Sequence, residues 1–340
     1  MKRKDKVAPK RKGRLTTIII TRNMTLLIAF SVLVFVFTAV IISSFGDIKR
    51  MVYGVKPGVT LEARVLSGYL PLEVRRIIEA MADQERTAPK DAMIFKETGE
   101  LIPESLGLDI DIDSTVNQVM KAKPGENIKL VRTVIAPAVT TLHFDPVYRV
   151  NTGMPFMAFA INVAWGEEYL PRLLEILREQ NMKVTFFIDG TWAQKYPDVL
   201  KLLDEEGHEL ASHGYEHVHI ENLNESAIKQ LISDNERLLL NLGVRPSKLF
   251  APPYGECNNT VIAAAASLGY TTVMWTIDTL DWNIKDSEKI LGRIVPKITS
   301  GAIILAHPTE IFLEVLPRIV DASRHSGYQF LTVSELIKTE

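Results

Sequence analysis

The chain has 340 residues, of which 46% are hydrophobic, and a formal net charge of -2. This composition excludes disordered, collagen-like and low-complexity chains, and the length allows one large domain or two ordinary ones. A single cysteine excludes an internal disulfide and any paired-cysteine metal or redox site. The nearly balanced charge argues against a protein that binds nucleic acid through its overall charge.

The first 45 residues predict a membrane anchor. Nine basic residues and one acid precede residue 23, and Met24–Phe45 then contains no charged residue. A helix of this length crosses a bilayer core of about 30 Å, whereas a buried core helix would carry a polar stripe. A cleaved signal peptide would have a shorter apolar region and a small-residue cleavage site, which Ile42–Phe45 lacks.

The charge distribution gives the anchor an expected orientation. We expect residues 24–45 to cross the cell membrane once, with the basic tail 1–23 in the cytoplasm and the rest of the chain outside the cell. Beyond the anchor the chain carries 30 basic and 40 acidic side chains. The basic tail is therefore a topology signal rather than a nucleic-acid-binding arm.

Residues 50–142 predict a small α/β module. Apolar spacing indicates a helix after Pro71, a short strand at Leu108–Ile112 and a second helix at Thr115–Lys121, capped by Asp113 or Ser114. Residues 143–156 are expected to link this module to the next domain.

The module resembles peptidoglycan-binding modules of Gram-positive surface proteins. The resemblance rests on Thr98–Glu100, on Gly107 with Asp109, and on the helix that contains Thr115 and Val119. It implies a contact with peptidoglycan. A spacer that holds the next domain away from the membrane fits the same residues equally well.

In residues 157–340, short apolar runs alternate with amphipathic helices. The predicted strands are Met157–Ile161, Val184–Ile188, Thr271–Trp275 and Ile303–Leu305. The predicted helices are Leu170–Gln180, Pro197–Glu206, Glu225–Leu242, Thr260–Leu268, Ser287–Ile298 and Ile311–Ser326. The alternation predicts an α/β fold with a parallel sheet, open or closed as a barrel, and functional residues on the loops that follow the strands.

Four loops of this domain carry candidate functional residues: Gly207–His217, Phe250–Gly255, Trp275–Trp282 and Gly301–Pro308. The i, i+4 spacing of His213 and His217 would place both imidazoles on one face of a helix, a geometry that suits a shared zinc ion. Taken singly, each loop also has a plain structural explanation: surface histidines, a proline turn, helix-capping carboxylates or a structural histidine.

Together and in this order, the four motifs resemble those of the NodB-homology polysaccharide deacetylases, carbohydrate esterase family four. Lys183–Phe187 and Gly207–Leu210 are further matches. The resemblance covers residues 157–336 and implies a distorted (β/α) barrel that removes acetyl groups from N-acetylated sugars with a divalent metal. Asn162–Tyr169 adds a finer resemblance to the membrane-anchored, sporulation-associated deacetylase-like proteins of endospore-forming bacteria.

The resemblance implies a role for each loop. His213 and His217 would hold the metal, expected to be zinc, and the backbone N–H of Tyr254 would stabilise the oxyanion. His307, oriented by Asp278, would protonate the leaving amine. The substrate contacts would be Pro253, Tyr254, Asp281, Trp282 and Leu305, the last two lining the acetyl pocket.

The chain departs from the family at its first motif, Thr-Phe-Asp-Asp-Gly, in which the two carboxylates are the general base and the third metal ligand. An alignment without gaps places Asn162 and Val163 there, and neither side chain can do that chemistry. Ala251 replaces the arginine that pairs with the base. The base and its partner are thus lost together, which avoids an unpaired buried charge.

Three functions remain compatible with these substitutions. A carboxylate of the same loop, Glu167 or Glu168, would rewire the enzyme, although acids at this place also favour the N-terminus of the next helix. Alternatively, the substrate groove of the family would bind glycan without hydrolysing it. In the third case the domain would have a purely structural role. A site of two histidines without a carboxylate is expected to bind zinc weakly or not at all.

We therefore expect a membrane-anchored protein of the deacetylase family, linked to sporulation, that acts on N-acetylated cell-wall amino sugars such as those of peptidoglycan. A metal-dependent hydrolase is favoured, and the alternative is a catalytically inactive glycan-binding or scaffold protein with a degenerate active site. No nucleic-acid partner is expected, and the sequence predicts no particular protein partner.

Overall fold

The structure is a computed structural model that describes residues 22–95 and 97–340. Nearly all of the predicted basic tail, residues 1–21, lies outside the described residues. The described chain forms two compact units. The first comprises the residues up to Thr87 together with Leu108–Thr133, and the second comprises Ala88–Gly107 together with Val134–Glu340.

The helices and strands up to residue 135 are, in chain order, α1 (Arg22–Tyr53), β1 (Thr60–Leu61), β2 (Arg64–Val65), α2 (Pro71–Glu85), β3 (Met93–Ile94), β4 (Leu101–Ile102), β5 (Gly107–Ile110), α3 (Ile112–Lys121), β6 (Asn127–Ile128) and β7 (Arg132–Ile135). Those that follow are β8 (Phe156–Val163), α4 (Leu170–Glu179), β9 (Thr185–Ile188), α5 (Gly190–Lys195), α6 (Pro197–Glu205), β10 (Glu209–Ser212), α7 (Glu225–Asn241), β11 (Leu249–Phe250), α8 (Asn259–Ser267), β12 (Thr271–Thr272), β13 (Ile277–Asp278), α9 (Ser287–Ile294), β14 (Ile303–Ala306), α10 (Glu310–His325), β15 (Gln329–Leu331) and α11 (Val333–Ile337). Short 3₁₀ turns lie at Thr141–Phe144, Ile220–Asn222, Pro253–Gly255 and Val295–Lys297.

Helix α1 contains the apolar run that the sequence assigned to a membrane anchor. Within Asn23–Tyr53, the most apolar window of 18 residues has a mean hydropathy of 2.9, and none of that window is buried. Within the part of the chain that the structure describes, it alone is long and apolar enough to cross a membrane. The helix runs eight residues past the predicted anchor end at Phe45, to Tyr53.

The first unit has its own small core between α2 and α3. Val74 and Ile78 of α2 are fully buried there, together with Val119 of α3. The carboxylate of Asp111 accepts the backbone N–H of Ser114 at 2.9 Å and caps α3. The helix thus begins at Ile112, earlier than predicted, and Asp111 replaces the expected caps Asp113 and Ser114 because its extended backbone lies one residue before the helix.

The predicted linker 143–156 is part of the second unit. Val147 pairs with Val273, and its N–H donates to the carbonyl of Thr272 at 2.9 Å. Two residues later Arg149 pairs with Ala302, and Val150 is buried. The linker assignment is therefore wrong, because these residues supply hydrogen bonds to the sheet that a free connection would leave to water.

The second unit is built on a parallel sheet in the order β12-β11-β10-β9-β8-β14-β13, and β15 also pairs with β8. Helices pack around the sheet, which confirms the predicted α/β architecture of a distorted (β/α) barrel. The residues at 147–150 pair at one end with Val273, next to β12, and at the other with Ala302, next to β14. They therefore bridge the two sides of the curled sheet.

Alternation along the strands decides which side chains reach the functional end. In β8, Phe159 and Ile161 belong to the core shared with the helices, whereas Ala158 and Ala160 belong to the cluster inside the curl. Because side chains alternate along a strand, Asn162 shares the inner face with these two alanines.

The six predicted helices of this domain are confirmed with end points shifted by one residue or less, except α9. That helix ends at Ile294, four residues earlier than predicted, since Pro296 lacks the N–H that a continuing helix needs. The sequence missed β10, β11, β13 and β15, which are only two to four residues long. β10, β13 and β15 each include a polar residue, so they do not stand out as apolar runs.

Candidate functional site

The predicted site residues meet at the carboxyl ends of the parallel strands. Asn162 lies at the end of β8, His213 directly follows β10, and His307 directly follows β14. Pro252–Gly255 comes just after β11, and Asp278 ends β13. This is the edge at which a barrel fold collects its functional loops.

These loops enclose a cavity of about 550 Å³. Its lining residues are Asn162, Ala164, Trp165, His213, His217, Tyr254, Gly255, Trp275, Asp278, Trp282, Leu305 and His307. The volume lies in the range of small-ligand sites, and the wall combines aromatic surface with a few polar groups. Most of the predicted site residues are therefore brought together.

His213 and His217 do not lie on a helix, which corrects the expected geometry. They occupy a loop after β10 in which Gly214 has φ 84°, a conformation that only glycine adopts without strain. The loop nevertheless brings the ring centroids of the two histidines to 5.1 Å. A β-carbon at Gly214 would lie 2.3 Å from the Leu231 side chain, so the close packing also requires glycine.

The histidine pair is held in the neutral form. Nδ1 of the buried His213 lies 2.7 Å from the carbonyl oxygen of Ala251, which can only accept, so Nδ1 carries the proton and Nε2 keeps its lone pair. Burial, with the neighbouring His217, lowers the pKa of His213 to about 3. Burial also lowers the pKa of His217.

The remaining donors do not fit a zinc site. Within residues 22–95 and 97–340, no three His, Cys, Asp or Glu side chains are arranged to hold a metal ion. Asn162 is a neutral amide, and Val163 is fully buried against the helix-side core. Two imidazoles without an anionic third ligand fall short of the donor set that zinc sites use.

The two acids proposed as substitutes lie elsewhere on their loop. Glu167 accepts a hydrogen bond from the hydroxyl of Tyr196, and that bond lowers the pKa of the Glu167 carboxyl. Glu168 is exposed. Neither side chain is among those that line the cavity.

The loop Pro252–Gly255 holds Tyr254 in the left-handed region, with φ 58°. A bulky residue rarely adopts this conformation, which marks a position that the surrounding structure enforces. The Tyr254 ring stacks on His219 at 4.1 Å and meets His217 edge to face at 4.3 Å. Pro253 is buried and does not line the cavity, so it shapes the loop rather than offering a surface.

Asp281 orients His307, and Asp278 does not, which corrects the sequence-based assignment. One carboxylate oxygen of Asp281 accepts the backbone N–H of His307 at 2.8 Å, and the other lies 2.9 Å from Nδ1. Asp281 has no exposed surface, whereas Asp278 accepts the backbone N–H of Leu280 at 2.8 Å. Leu280 has φ 54°, a turn that brings the later carboxylate back towards the histidine.

Two tryptophans of the cavity escaped the sequence analysis as site residues. Trp165 stacks on His307 with a centroid distance of 5.8 Å and an interplanar angle of 9°. Trp275 follows β12 and also lines the cavity, as do the predicted contacts Trp282 and Leu305. The signal available in the sequence was an aromatic residue two or three places beyond the end of a strand.

Comparisons with known proteins agree with this fold. The polysaccharide deacetylase family matches residues 142–273. The uncharacterized protein YlxY of Bacillus subtilis is 36% identical over 259 residues, which cover 75% of this chain and 81% of that protein. A peptidoglycan-N-acetylglucosamine deacetylase of Bacillus cereus is 32% identical and covers 50% of this chain and 82% of its own length.

Among solved structures, BA3943 of Bacillus anthracis, described as a CE4 family pseudoenzyme, is 30% identical with a TM-score of 0.56. The match covers 77% of this chain and 94% of that one. A mutant of BA3943, described as having restored enzymatic activity, is similar at 29% identity, with the same TM-score of 0.56.

The parallel sheet curled as a barrel, with its surrounding helices, has the fold of the CE4 family of carbohydrate esterases. The chain belongs to the polysaccharide deacetylase family, whose active members are hydrolases of carbon–nitrogen bonds.

Proposed function

We propose that the protein binds N-acetylated cell-wall amino sugars, such as those of peptidoglycan, in this cavity without hydrolysing them. The observation that carries the proposal is the neutral Asn162 at the end of β8, where the family has its base. An amide cannot take the proton of an attacking water, and no carboxylate of the described residues completes a zinc site with the two histidines.

The cavity supports a binding role. It combines neutral imidazoles with the half-exposed rings of Tyr254 and Trp282, which are 56% and 53% exposed. Such rings offer apolar surface with little entropy to lose on binding. The similarity to a peptidoglycan-N-acetylglucosamine deacetylase and to a CE4 pseudoenzyme supports an acetamido-sugar ligand and the loss of turnover.

The rewired deacetylase is the competing function. It requires Glu167 or Glu168 to act in the cavity, and the bond from Tyr196 to Glu167 turns the better candidate towards another element. In that case a divalent metal, with zinc as the first candidate, would be held by His213 and His217.

We also propose that α1 anchors the protein in the cell membrane by a single crossing of residues 24–45. The N-terminus would be cytoplasmic and the barrel would face the cell wall. Residues 50–142 would bind peptidoglycan, and the protein would have a role connected with sporulation. The charge-free run and its unburied surface support this arrangement. Protease added to intact protoplasts should remove the barrel, and its protection would contradict the orientation.

The binding test titrates the full chain in detergent with N-acetylglucosamine tetramer and measures the affinity by calorimetry. A sugar ring covering one face of Trp282 removes about 50 Å² from water, so Trp282→Ala should weaken binding about five- to tenfold. Tyr148, 49% exposed and outside the cavity lining, provides the matched control Tyr148→Ala. Absence of saturable binding, or equal loss in both variants, would refute a glycan site here.

A further inference from the structure

Helix α1 becomes two-sided beyond the charge-free run. Phe45, Ile48 and Val52 follow one another at spacings of three and four residues, so their side chains form one apolar stripe along the helix. They are 65%, 59% and 60% exposed. Asp47 and Arg50 lie on the opposite side, since each residue turns the helix by about 100°. The last two turns of α1 are therefore an amphipathic extension of the anchor.

The polar side of this extension is clamped to the rest of the first unit. The guanidinium of Arg50 donates to both carboxylate oxygens of Glu73, at 2.7 and 2.6 Å, and to the carbonyl of Gly68 at 3.1 Å. Glu73 also accepts the backbone N–H of Leu70 at 2.8 Å, at the start of α2. Gly54 directly follows α1, and a β-carbon there would lie 2.9 Å from the Gly68 carbonyl oxygen. Because these contacts lie on the Arg50 side of the helix, the apolar stripe is turned away from them.

The charge-free run fits a bilayer best when the helix is tilted. The run Met24–Phe45 forms about 33 Å of helix, and a hydrocarbon core of about 30 Å accommodates that length at a tilt of roughly 25°, within the range of membrane-spanning helices. A tilted helix leaves the membrane with one side turned towards the membrane surface. The apolar stripe suits that side, whereas the side with Asp47 and Arg50 suits water.

The stripe has the composition of a contact with the membrane interface. Val52 lies about 10 Å beyond Phe45 along the helix axis, and the tilt lowers it into the headgroup layer, which is about 5–8 Å thick. A tyrosine is favoured at this level, and a lysine can keep its stem on apolar surface while its ammonium group reaches lipid phosphates. Both residue types occur beside the stripe, where a shallow groove of about 320 Å³ is lined by Phe45, Ile48, Lys49, Val52 and Tyr53.

We propose that the stripe of Phe45, Ile48 and Val52 lies in the headgroup layer of the leaflet where α1 leaves the membrane, with the rest of the first unit held on the water side by the Arg50–Glu73 pair. The partner is a lipid surface, which covers apolar side chains that otherwise face water. The proposal rests on the proposed membrane anchor and adds how the chain leaves the membrane. The first unit then stays close to the membrane instead of moving on a flexible stalk.

The test measures the lipid contact of single positions in the full chain. Cys257→Ser removes the native thiol, and Val52→Cys or Leu72→Cys then carries a bimane label in vesicles of phosphatidylcholine and phosphatidylglycerol. Leu72 is the matched control, because it is an equally exposed apolar residue next to Glu73, on the clamped side. A nitroxide near the glycerol end of the lipid acyl chains should quench the label at position 52 at least about twofold more than the label at position 72.

A label at Leu33→Cys, near the middle of the charge-free run, separates this proposal from the anchor itself. A nitroxide at the end of the acyl chains should quench it strongly. If this label is quenched while the label at position 52 is not, or while the label at position 72 is quenched as much as that at 52, the lipid contact is overturned and the anchor survives. If the label at position 33 is not quenched, both proposals fail. Disulfide formation between Val52→Cys copies at high lipid excess would assign the stripe to a second copy of the chain and overturn the lipid contact.

Discussion

Replacing Asp281 by asparagine tests how the histidine at the end of β14 is held. The Asp281 side chain has no exposed surface. Its carboxylate accepts the backbone N–H of His307 at 2.8 Å and the ring Nδ1–H at 2.9 Å. Asparagine keeps a single acceptor oxygen and turns an NH₂ group towards the second donor. A hydrogen bond to a charged group contributes about 1.5–3 kcal/mol, so Asp281→Asn should lower the free energy of unfolding by about that amount.

For a domain of this size, the loss corresponds to a fall of about 4–10 °C in the thermal midpoint. All four tryptophans lie in the second unit, so their fluorescence follows the unfolding of the barrel. The variant should also change the protonated nitrogen of the His307 ring. With an NH₂ group opposite, Nδ1 becomes the acceptor, a change that ¹⁵N NMR of the imidazole detects.

Asp278→Asn is the matched control. Asp278 accepts one N–H group, that of Leu280, and asparagine retains an acceptor for it. We expect a loss below about 1 kcal/mol and no change at the His307 ring. A larger loss for Asp278→Asn than for Asp281→Asn, or an unchanged ring in the latter, would refute the assignment of Asp281 as the positioning residue.

Three further predictions concern the loop, the pH dependence and the metal. Gly214→Ala should lower the free energy of unfolding by about 2–4 kcal/mol, because of the φ of 84° and the contact with Leu231. Gly153 has open space around it, so Gly153→Ala should change this free energy, measured by urea unfolding, by less than about 0.5 kcal/mol. Burial lowers the pKa of His208 from 6.5 to about 4, so the unfolded chain takes up this proton first and stability falls as the pH drops from 6.5 to 4. His208→Gln should remove about 2–3 kcal/mol of that loss in the free energy of unfolding near pH 4.5, and His325→Gln, at an exposed histidine, should not. Equal curves of unfolding free energy against pH for wild type and both variants would contradict this. Treatment with EDTA should change neither the thermal midpoint nor the affinity for N-acetylglucosamine tetramer, because the described residues form no three-ligand site, and a fall in either would contradict that.

The sequence predicted the long amphipathic elements well. Helix α7 was expected to end before Gly243, and it ends at Asn241 because the apolar spacing and the glycine stop coincide. The cavity was also foreseen in large part, because parallel strands deliver their loops to one edge. His213, Tyr254 and His307 therefore meet there despite their distance along the chain.

The wrong predictions concern features that depend on tertiary structure and not on the local sequence pattern. Asp278 and Asp281 are equivalent in the sequence, and only the left-handed turn at Leu280 selects the second as the partner of His307. The histidine spacing suggested a helix, but Gly214 makes a loop that achieves a similar approach. Residues 143–156 carry a proline and polar groups typical of a linker, yet Val147 and Arg149 pair with Val273 and Ala302 of the second unit.

Acetate release distinguishes a glycan-binding protein from a working deacetylase. The full chain would be saturated with N-acetylglucosamine tetramer in the presence of zinc, and acetate would be measured for wild type and for His213→Ala. We expect saturable binding by wild type and the same background acetate from both proteins. Acetate released by wild type and lost in His213→Ala would contradict it and identify the protein as a working deacetylase.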